Sequence, residues 1–297
     1  MRTVVYQSFR TQNIPPWIAV CIESVKTWTE VQGFEYRFYD DRFFDLVPPE
    51  FRARASGHKC VLADYARLVA ARDLLKEGWE RAIWIDADAV VFAPERFTIP
   101  VTQGYAFCRE VWLDRVVYGK PQFNLTVNNS VSVFCQDQTI IDFYLDAANA
   151  ILRGPEPLTG LSIGTDFLLK LHRARRFPLL THAGIFGPEM AYRYLQDDGR
   201  FLRTYLNFQT SPIYAANLCL SHQGETSGFA GEKKGWSLND QTLLEFIARL
   251  RSDRGESLNR WFNHEYTPDA SEFDRPLSRY IGVRRAFKSL LQAVQRR

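Results

Sequence analysis

Residues 82–92 read Ala-Ile-Trp-Ile-Asp-Ala-Asp-Ala-Val-Val-Phe. The first four are apolar, which is typical of a strand buried on both faces of a sheet. Asp86 and Asp88 follow at the point where that strand would end. Ligands of open α/β sheets gather at the carboxyl ends of the strands. The segment therefore predicts a central strand that carries two carboxylates to the ligand-binding edge of a sheet.

The residues before this strand alternate between strand and helix patterns. Val4–Tyr6 and Phe34–Tyr39 have strand character, and the apolar positions of Trp17–Val31 and Leu62–Lys76 recur at helical spacing. This order predicts an α/β fold, in which helices cover both faces of a mostly parallel central sheet.

The later segments continue the pattern less regularly. We expect strands at 104–107 and 131–135 and helices at about 137–152 and 163–172. The stretch 181–240 is rich in Gly, Ser, Thr and Asn, which favours loops shaped around a site over core elements.

Composition narrows the class of protein. The chain has 297 residues, 46% of them hydrophobic, and a net charge of +3, which excludes a largely disordered chain and gives no reason to expect a nucleic-acid partner. Its five widely spaced cysteines are an odd number, so we expect reduced thiols and no disulfide framework. With no apolar signal segment at its start and no membrane-length apolar run, the expected location is cytoplasmic.

The two aspartates suit a hard divalent cation. Carboxylate oxygens are ligands that Mg²⁺ and Mn²⁺ prefer, and such an ion is commonly shared with a diphosphate. The cation would neutralise the negative charge that develops on a departing nucleotide diphosphate.

The segment around this pair resembles a known family. It is similar to the DxD region of GT-A-fold glycosyltransferases, and the similarity is carried by Leu62–Leu68, Leu74-Leu75, Gly78 and Ile83–Asp88. The best resemblance is to the type described as "glycosyltransferase sugar-binding region containing DXD motif" (family 32), and the segment also has features of families 8 and 34. The resemblance implies a Rossmann-like α/β/α domain over residues 1–270 and a metal-dependent hexosyltransferase. Its donor would be a nucleotide-diphosphate sugar (a UDP-sugar favoured, GDP-mannose possible), its acceptor a glycan or a lipid-linked sugar, and its outcome retention of configuration.

The resemblance also implies roles for residues around the donor sugar. Asp64 and Arg67, which lie on one face of a helix at i, i+3, would bind the sugar of the donor; the alternative is a simple surface ion pair. Asn129 resembles the asparagine of the strand beside that sugar, and Asp166 the acidic residue near the reacting carbon or the acceptor.

Further roles concern the nucleotide. Tyr6, Gln7 and Ser8 resemble the end of the family's opening strand and would contact the base. His222 resembles a late metal ligand that favours Mn²⁺ over Mg²⁺, although a polar residue at the end of an element is the alternative. Lys234, near Lys233 and Trp236, would grip the diphosphate.

The last residues, 271–297, form a separate prediction. Basic residues alternate there with Phe287, Leu290, Leu291 and Val294, which indicates a short basic amphipathic helix. Such a helix suits peripheral contact with anionic lipid at the inner face of a membrane, and docking on its own domain is the alternative.

Two other functions stay open. A phosphatase of the haloacid dehalogenase type would use Asp86 and Asp88 as nucleophile and acid/base, with Asp197-Asp198 as its late acidic pair. A non-catalytic carbohydrate-binding protein is the third hypothesis, because 22 Phe, 13 Tyr and 7 Trp would suit stacking on sugars as well as a large core.

Overall fold

The computed structural model of the protein describes residues 1–117, 120–136, 139–220 and 237–262, with 114–117 and 120 given by their backbone alone. Its strands are β1 (Thr3–Ser8), β2 (Glu35–Tyr39), β3 (Arg81–Ile85), β4 (Ala89–Val91), β5 (Tyr105–Val117), β6 (Lys120–Cys135), β7 (Leu179–Leu180), β8 (Ala183–Ile185) and β9 (Ala215–Asn217). Its helices are α1 (Pro16–Gln32), α2 (Pro49–Arg54), α3 (Lys59–Lys76), α4 (Thr139–Arg153), α5 (Thr165–Ala174), α6 (Pro188–Leu195), α7 (Gly199–Asn207), α8 (Asp240–Ser252) and α9 (Glu256–Asn259), and a 3₁₀-helix spans Asp41–Leu46.

Six strands form the central sheet in the order β2-β1-β3-β6-β5-β7. The pairs β1/β2, β1/β3 and β5/β7 are parallel, whereas β6 runs antiparallel to both β3 and β5. The sheet is therefore mostly parallel, as predicted. Because β1 and β3 are parallel neighbours, their carboxyl ends meet at one edge.

Helices cover both faces of this sheet. Val5 of β1 belongs to a core cluster with Val25 and Trp28 of α1. The next residue, Tyr6, points to the other side and donates its hydroxyl to the backbone carbonyl of Arg67 on α3 at 2.8 Å. The predicted α/β class with helices on both faces is confirmed, and it is consistent with a GT-A-like α/β/α arrangement.

The β5–β6 hairpin is longer than the sequence predicts. Strands were expected only at 104–107 and 131–135, but the ladder between β5 and β6 extends out to Val117 and Lys120. Since β6 pairs with β3 only over residues 131–135, its residues 120–130 continue past the carboxyl end of β3. We call the part of the hairpin formed by residues 108–117 and 120–130 the arm.

The loop prediction for 181–240 is wrong over the described part of that stretch. Residues 181–220 contain β8, β9, α6 and α7, and β9 joins β4 and β8 in a second, three-stranded sheet. Gly184 shows why a glycine-rich composition misleads here. A Cβ at this position would lie 2.9 Å from Ile213 and from the Tyr205 hydroxyl, so this glycine allows close packing within an element and does not mark a loop.

No helix among the described residues is long and apolar enough to cross a membrane. The predicted amphipathic helix of 271–297 lies outside the described residues, and its contact with lipid stays a prediction.

Candidate functional site

Asp86 and Asp88 lie at a turn that directly follows β3. The Asp86 amide donates to the Ser130 carbonyl on β6 at 2.7 Å, and the Ala89 amide donates back to the Asp86 carbonyl at 3.0 Å. This turn carries both carboxylates to the carboxyl edge of the sheet, where the sequence predicts them.

Asn217, at the end of β9, bridges the two carboxylates. Its Nδ2 lies 2.7 Å from Oδ1 of Asp88 and 3.5 Å from Oδ2 of Asp86, while its Oδ1 accepts from the Cys219 amide at 2.9 Å. The Leu220 amide donates to the second oxygen of Asp88 at 2.7 Å. The second sheet therefore positions the aspartates as much as the first does.

A buried network joins Asp86 to α3. Arg67 points one guanidinium nitrogen at Oδ1 of both Asp64 (3.2 Å) and Asp86 (3.3 Å), and donates another to the Asn129 carbonyl at 2.8 Å. The side-chain amide of Asn129 donates from Nδ2 to Oδ1 of Asp64 at 2.9 Å. Asp64 and Arg67 are each 6% exposed, so the alternative of a surface ion pair is excluded by their burial.

Trp84 completes this network from β3. Its indole N–H donates to Oδ1 of Asp86 at 2.6 Å, and the Arg67 guanidinium lies 4.7 Å from its ring centre. The ring also stacks on Phe43, at 5.5 Å between ring centres. A planar cation is thereby fixed between an aromatic face and two carboxylates.

Burial raises the pKa of all three carboxyl groups. The pKa of Asp64 rises to about 6 because desolvation outweighs the attraction of Arg67. The pKa of Asp86 is raised by its desolvation, and that of Asp88 by desolvation together with the negative charge of Asp86. Two anionic groups held side by side with too little positive charge would gain stability from a cation.

The excess of negative charge at Asp86 and Asp88 is of the kind that a divalent metal ion would neutralise. Asp86 and Asp88 supply hard oxygen ligands, and Asp86 keeps 24% of its side chain exposed. The described residues contain no group of three or more His, Cys, Asp and Glu side chains that would hold an ion without further ligands. The pair therefore fits a cation whose remaining ligands come from a substrate, water or other parts of the chain.

The predicted nucleotide contacts from β1 are placed in two different settings. Tyr6 and Gln7 are fully buried, and Gln7 donates to the Asp86 carbonyl at 3.2 Å while accepting from the Tyr36 hydroxyl at 2.9 Å. Ser8, at the end of β1, is partly exposed. Gln7 thus supports the DxD turn from inside, whereas Tyr6 joins β1 to α3. Contact with a base stays a prediction for all three.

Asp166 is exposed in the first turn of α5. The start of that helix lies against the buried network of Asp64, Arg67, Asn129 and Asp86, because a Cβ at Gly164 would be 2.5 Å from Oδ2 of Asp64 and 3.4 Å from Nδ2 of Asn129. The predicted role of Asp166 near a reacting carbon is not tested by these contacts. His222 and Lys234, with Lys233 and Trp236, lie outside the described residues.

Sequence reasoning did not single out Asn217, Trp84 or Gly164 as site residues. A signal for Asn217 was present, because it ends the run Ile213-Tyr214-Ala215-Ala216-Asn217 much as Asp86 ends its own apolar run. The short length of β9, three residues, hid it within the stretch predicted to be loops.

No family model matches the chain, and no curated protein matches it significantly. Among solved structures, a glycosyltransferase involved in the glycosylation of the major capsid of PBCV-1 is similar with a TM-score of 0.43 and 11% identity, over 74% of this chain and 94% of that one. Mouse xyloside xylosyltransferase 1 is similar with a TM-score of 0.42 and 11% identity, over 74% and 99%. A197 from STIV has a TM-score of 0.29 at 13% identity, over 58% and 78%. Similarities this weak do not assign a function to the chain.

Proposed function

We propose that the protein is a metal-dependent glycosyltransferase that moves a hexose from a nucleotide-diphosphate sugar to a glycan or lipid-linked acceptor. The observation that carries this proposal is the continuous network from Asp64 through Arg67 to Asp86 and on, through Asn217, to Asp88. It joins the residues that resemble the family's sugar-binding and metal-binding positions into one cluster at a ligand-binding sheet edge.

The two halves of the network suit two parts of such a donor. Asp86 and Asp88 would hold Mn²⁺ or Mg²⁺, which supplies positive charge to the diphosphate as it becomes the leaving group. Asp64 and Asn129, fixed by Arg67, present carboxylate and amide groups of the kind that hydrogen-bond sugar hydroxyls. We include His222 as a further metal ligand and Lys234 as a phosphate contact in this proposal.

The contacts of Asp197 and Asp198 weigh against the phosphatase alternative. Asp197 pairs with Arg249 and Arg260, and Asp198 accepts from the Phe201 amide at the start of α7 and pairs with Arg193. Both late carboxylates are therefore used by contacts that hold the C-terminal helices together. Neither contacts Asp86 or Asp88.

A donor screen tests the proposal. Nucleotide release from UDP-Gal, UDP-Glc, UDP-GlcNAc and GDP-Man should occur with at least one donor, require Mn²⁺ or Mg²⁺, and stop in excess EDTA. Asp88→Ala should abolish it while the circular dichroism spectrum stays native. Asp146→Ala, at an exposed aspartate on α4, is the matched control and should behave as wild type. Full activity in EDTA or in Asp88→Ala would refute the metal mechanism, and hydrolysis of p-nitrophenyl phosphate without any nucleotide release would favour the phosphatase.

A further inference from the structure

The arm carries a polar strip on one face, next to the candidate site. In the ladder, Cys108 pairs with Asn128 and Glu110 with Thr126, and directly paired residues of antiparallel strands share a face. Asn128 lies two residues from Ser130, whose carbonyl accepts from the Asp86 amide. Glu110, Thr126 and Asn128, which we call the arm strip, therefore begin beside the DxD turn and continue past the end of β3.

The strip holds hydrogen-bonding groups that the other described residues do not use. Glu110 is 7% exposed, and the single hydrogen bond of its side chain among the described residues comes from Asn128 Nδ2 to Oε1 at 3.2 Å. The Thr126 hydroxyl is buried and has no partner in the described structure. Buried polar groups are nearly always paired, so such groups side by side indicate a ligand that supplies the missing partners.

The chemistry of the strip indicates which ligand. A carboxyl group accepts and, when protonated, also donates, while an amide and a hydroxyl each do both. This combination matches vicinal hydroxyl groups. One step further along the same face, Trp112 pairs with Asn124, which adds a partly exposed aromatic ring and a second amide. Aromatic rings bordered by amides and carboxylates suit the apolar face and the hydroxyl rim of a sugar ring.

We propose that the arm strip is the acceptor subsite, where Glu110 and Thr126 hydrogen-bond the hydroxyl groups of the acceptor sugar. The inference rests on the proposed glycosyltransferase function and assigns residues to its second substrate. The donor network from Asp64 to Asp88 and the arm strip meet at Ser130 and Asn128. The acceptor hydroxyl would thus be delivered from the arm to a donor held at the sheet edge.

Two nearly isosteric variants of the full chain test this subsite. Glu110→Gln and Thr126→Val are assayed for transfer from the donor found in the screen to methyl galactoside, methyl glucoside, methyl mannoside and lactose. We expect the KM for the acceptor to rise about tenfold in Glu110→Gln and about fivefold in Thr126→Val, since each loses one hydrogen bond, while the KM for the donor stays within about twofold. Glu35→Gln, at an exposed glutamate on β2, is the matched control.

Thr126→Val separates binding from structure. Because the hydroxyl has no partner in the described structure, its removal should leave the unfolding midpoint in urea unchanged or higher. A raised acceptor KM in an equally stable variant supports the subsite. An unchanged acceptor KM in both variants overturns it, as does a proportional rise in the donor KM.

Binding without turnover makes the two proposals distinguishable. Saturation-transfer NMR of the same methyl glycosides with the full chain, without donor, should show contact that Glu110→Gln weakens. If no donor releases nucleotide but this binding persists and depends on Glu110, the transferase proposal fails and the sugar subsite stands. If transfer occurs and both variants bind and react as wild type, the subsite alone fails.

Discussion

Gly164 lies against the buried network and leaves room for the Asp64 carboxylate. A Cβ there would lie 2.5 Å from Oδ2 of Asp64, too close for any carbon to approach. Gly164→Ala should therefore displace Asp64 from Asn129 and Arg67, destabilise the fold by about 1–3 kcal/mol and lower activity strongly. Urea unfolding and donor hydrolysis measure the two effects. Gly160→Ala is the control, because its Cβ would be 3.9 Å from that of Cys60; equal behaviour of the two variants would contradict the contact.

Glu110 makes a pH-dependent contribution to stability whose sign follows from its environment. Burial raises its pKa from 4.5 to about 7, against a smaller opposite effect of Asn128. The unfolded chain therefore ionises first, and wild type loses stability relative to Glu110→Gln as the pH rises from about 4.5 through 7. Above that range the variant should be more stable by about 3 kcal/mol, and near pH 4 the difference should vanish. Urea unfolding from pH 4 to pH 8 checks this. A stability difference between the two proteins that does not change with pH would show that Glu110 has an ordinary pKa. If Glu110→Gln is more stable than wild type but binds the acceptor less well, Glu110 serves binding and not stability.

At the scale of elements, β9 is the strand of the second sheet whose last residue, Asn217, holds both aspartates. Asn217→Asp would replace the bridging donor by a third carboxylate. In this site burial already raises the pKa of both aspartates, and the negative charge of Asp86 raises that of Asp88 further. We expect a loss of about 1–3 kcal/mol in EDTA and a larger stabilisation by Mn²⁺ than in wild type, since a third hard oxygen is gained. Asn239→Asp, at the N-cap of α8, is the control because aspartate caps as well as asparagine. Wild-type stability of Asn217→Asp in EDTA would exclude the bridge.

Elements with a long, regular apolar pattern were predicted from the sequence, whereas the shortest strands carry too little pattern to be predicted. The 17 residues of α1 repeat their apolar positions over several turns, and β3 is apolar throughout. By contrast, β8 and β9 have three residues each, too few for a period to show. The outer part of β6, from Gln122 to Asn128, alternates polar and apolar residues at the period of a strand, a local signal that the prediction of strands at 104–107 and 131–135 missed. Its pairing with β5 joins two segments that no local pattern links.

At the scale of the whole molecule, the candidate site is assembled from four separate segments. Asp64 and Arg67 come from α3, Asp86 and Asp88 from the turn after β3, Asn129 from β6, and Asn217 from β9. Resemblance to a family placed the first three segments, because each carries its own motif. The fourth is brought in by the second sheet, whose pairing of β4 with β9 aligns Ala89 with Asn217. The apolar run before Asn217 marks it as the end of a strand, but only the sheet shows that this end lies beside the aspartates.

Because these segments are far apart in the chain, binding of a cation at their meeting point should stabilise the fold as a whole. A ligand that binds only the folded state stabilises by about 2.7 kcal/mol at a hundred times its Kd. For a chain of this size that raises the Tm by about 4 °C. Differential scanning fluorimetry in EDTA, MgCl₂ and MnCl₂ measures the shift, which Asp88→Ala should lose and Asp146→Ala should keep. An equal shift in Asp88→Ala would locate the cation elsewhere, since the carboxylate pair can attract a divalent ion only while both members are present.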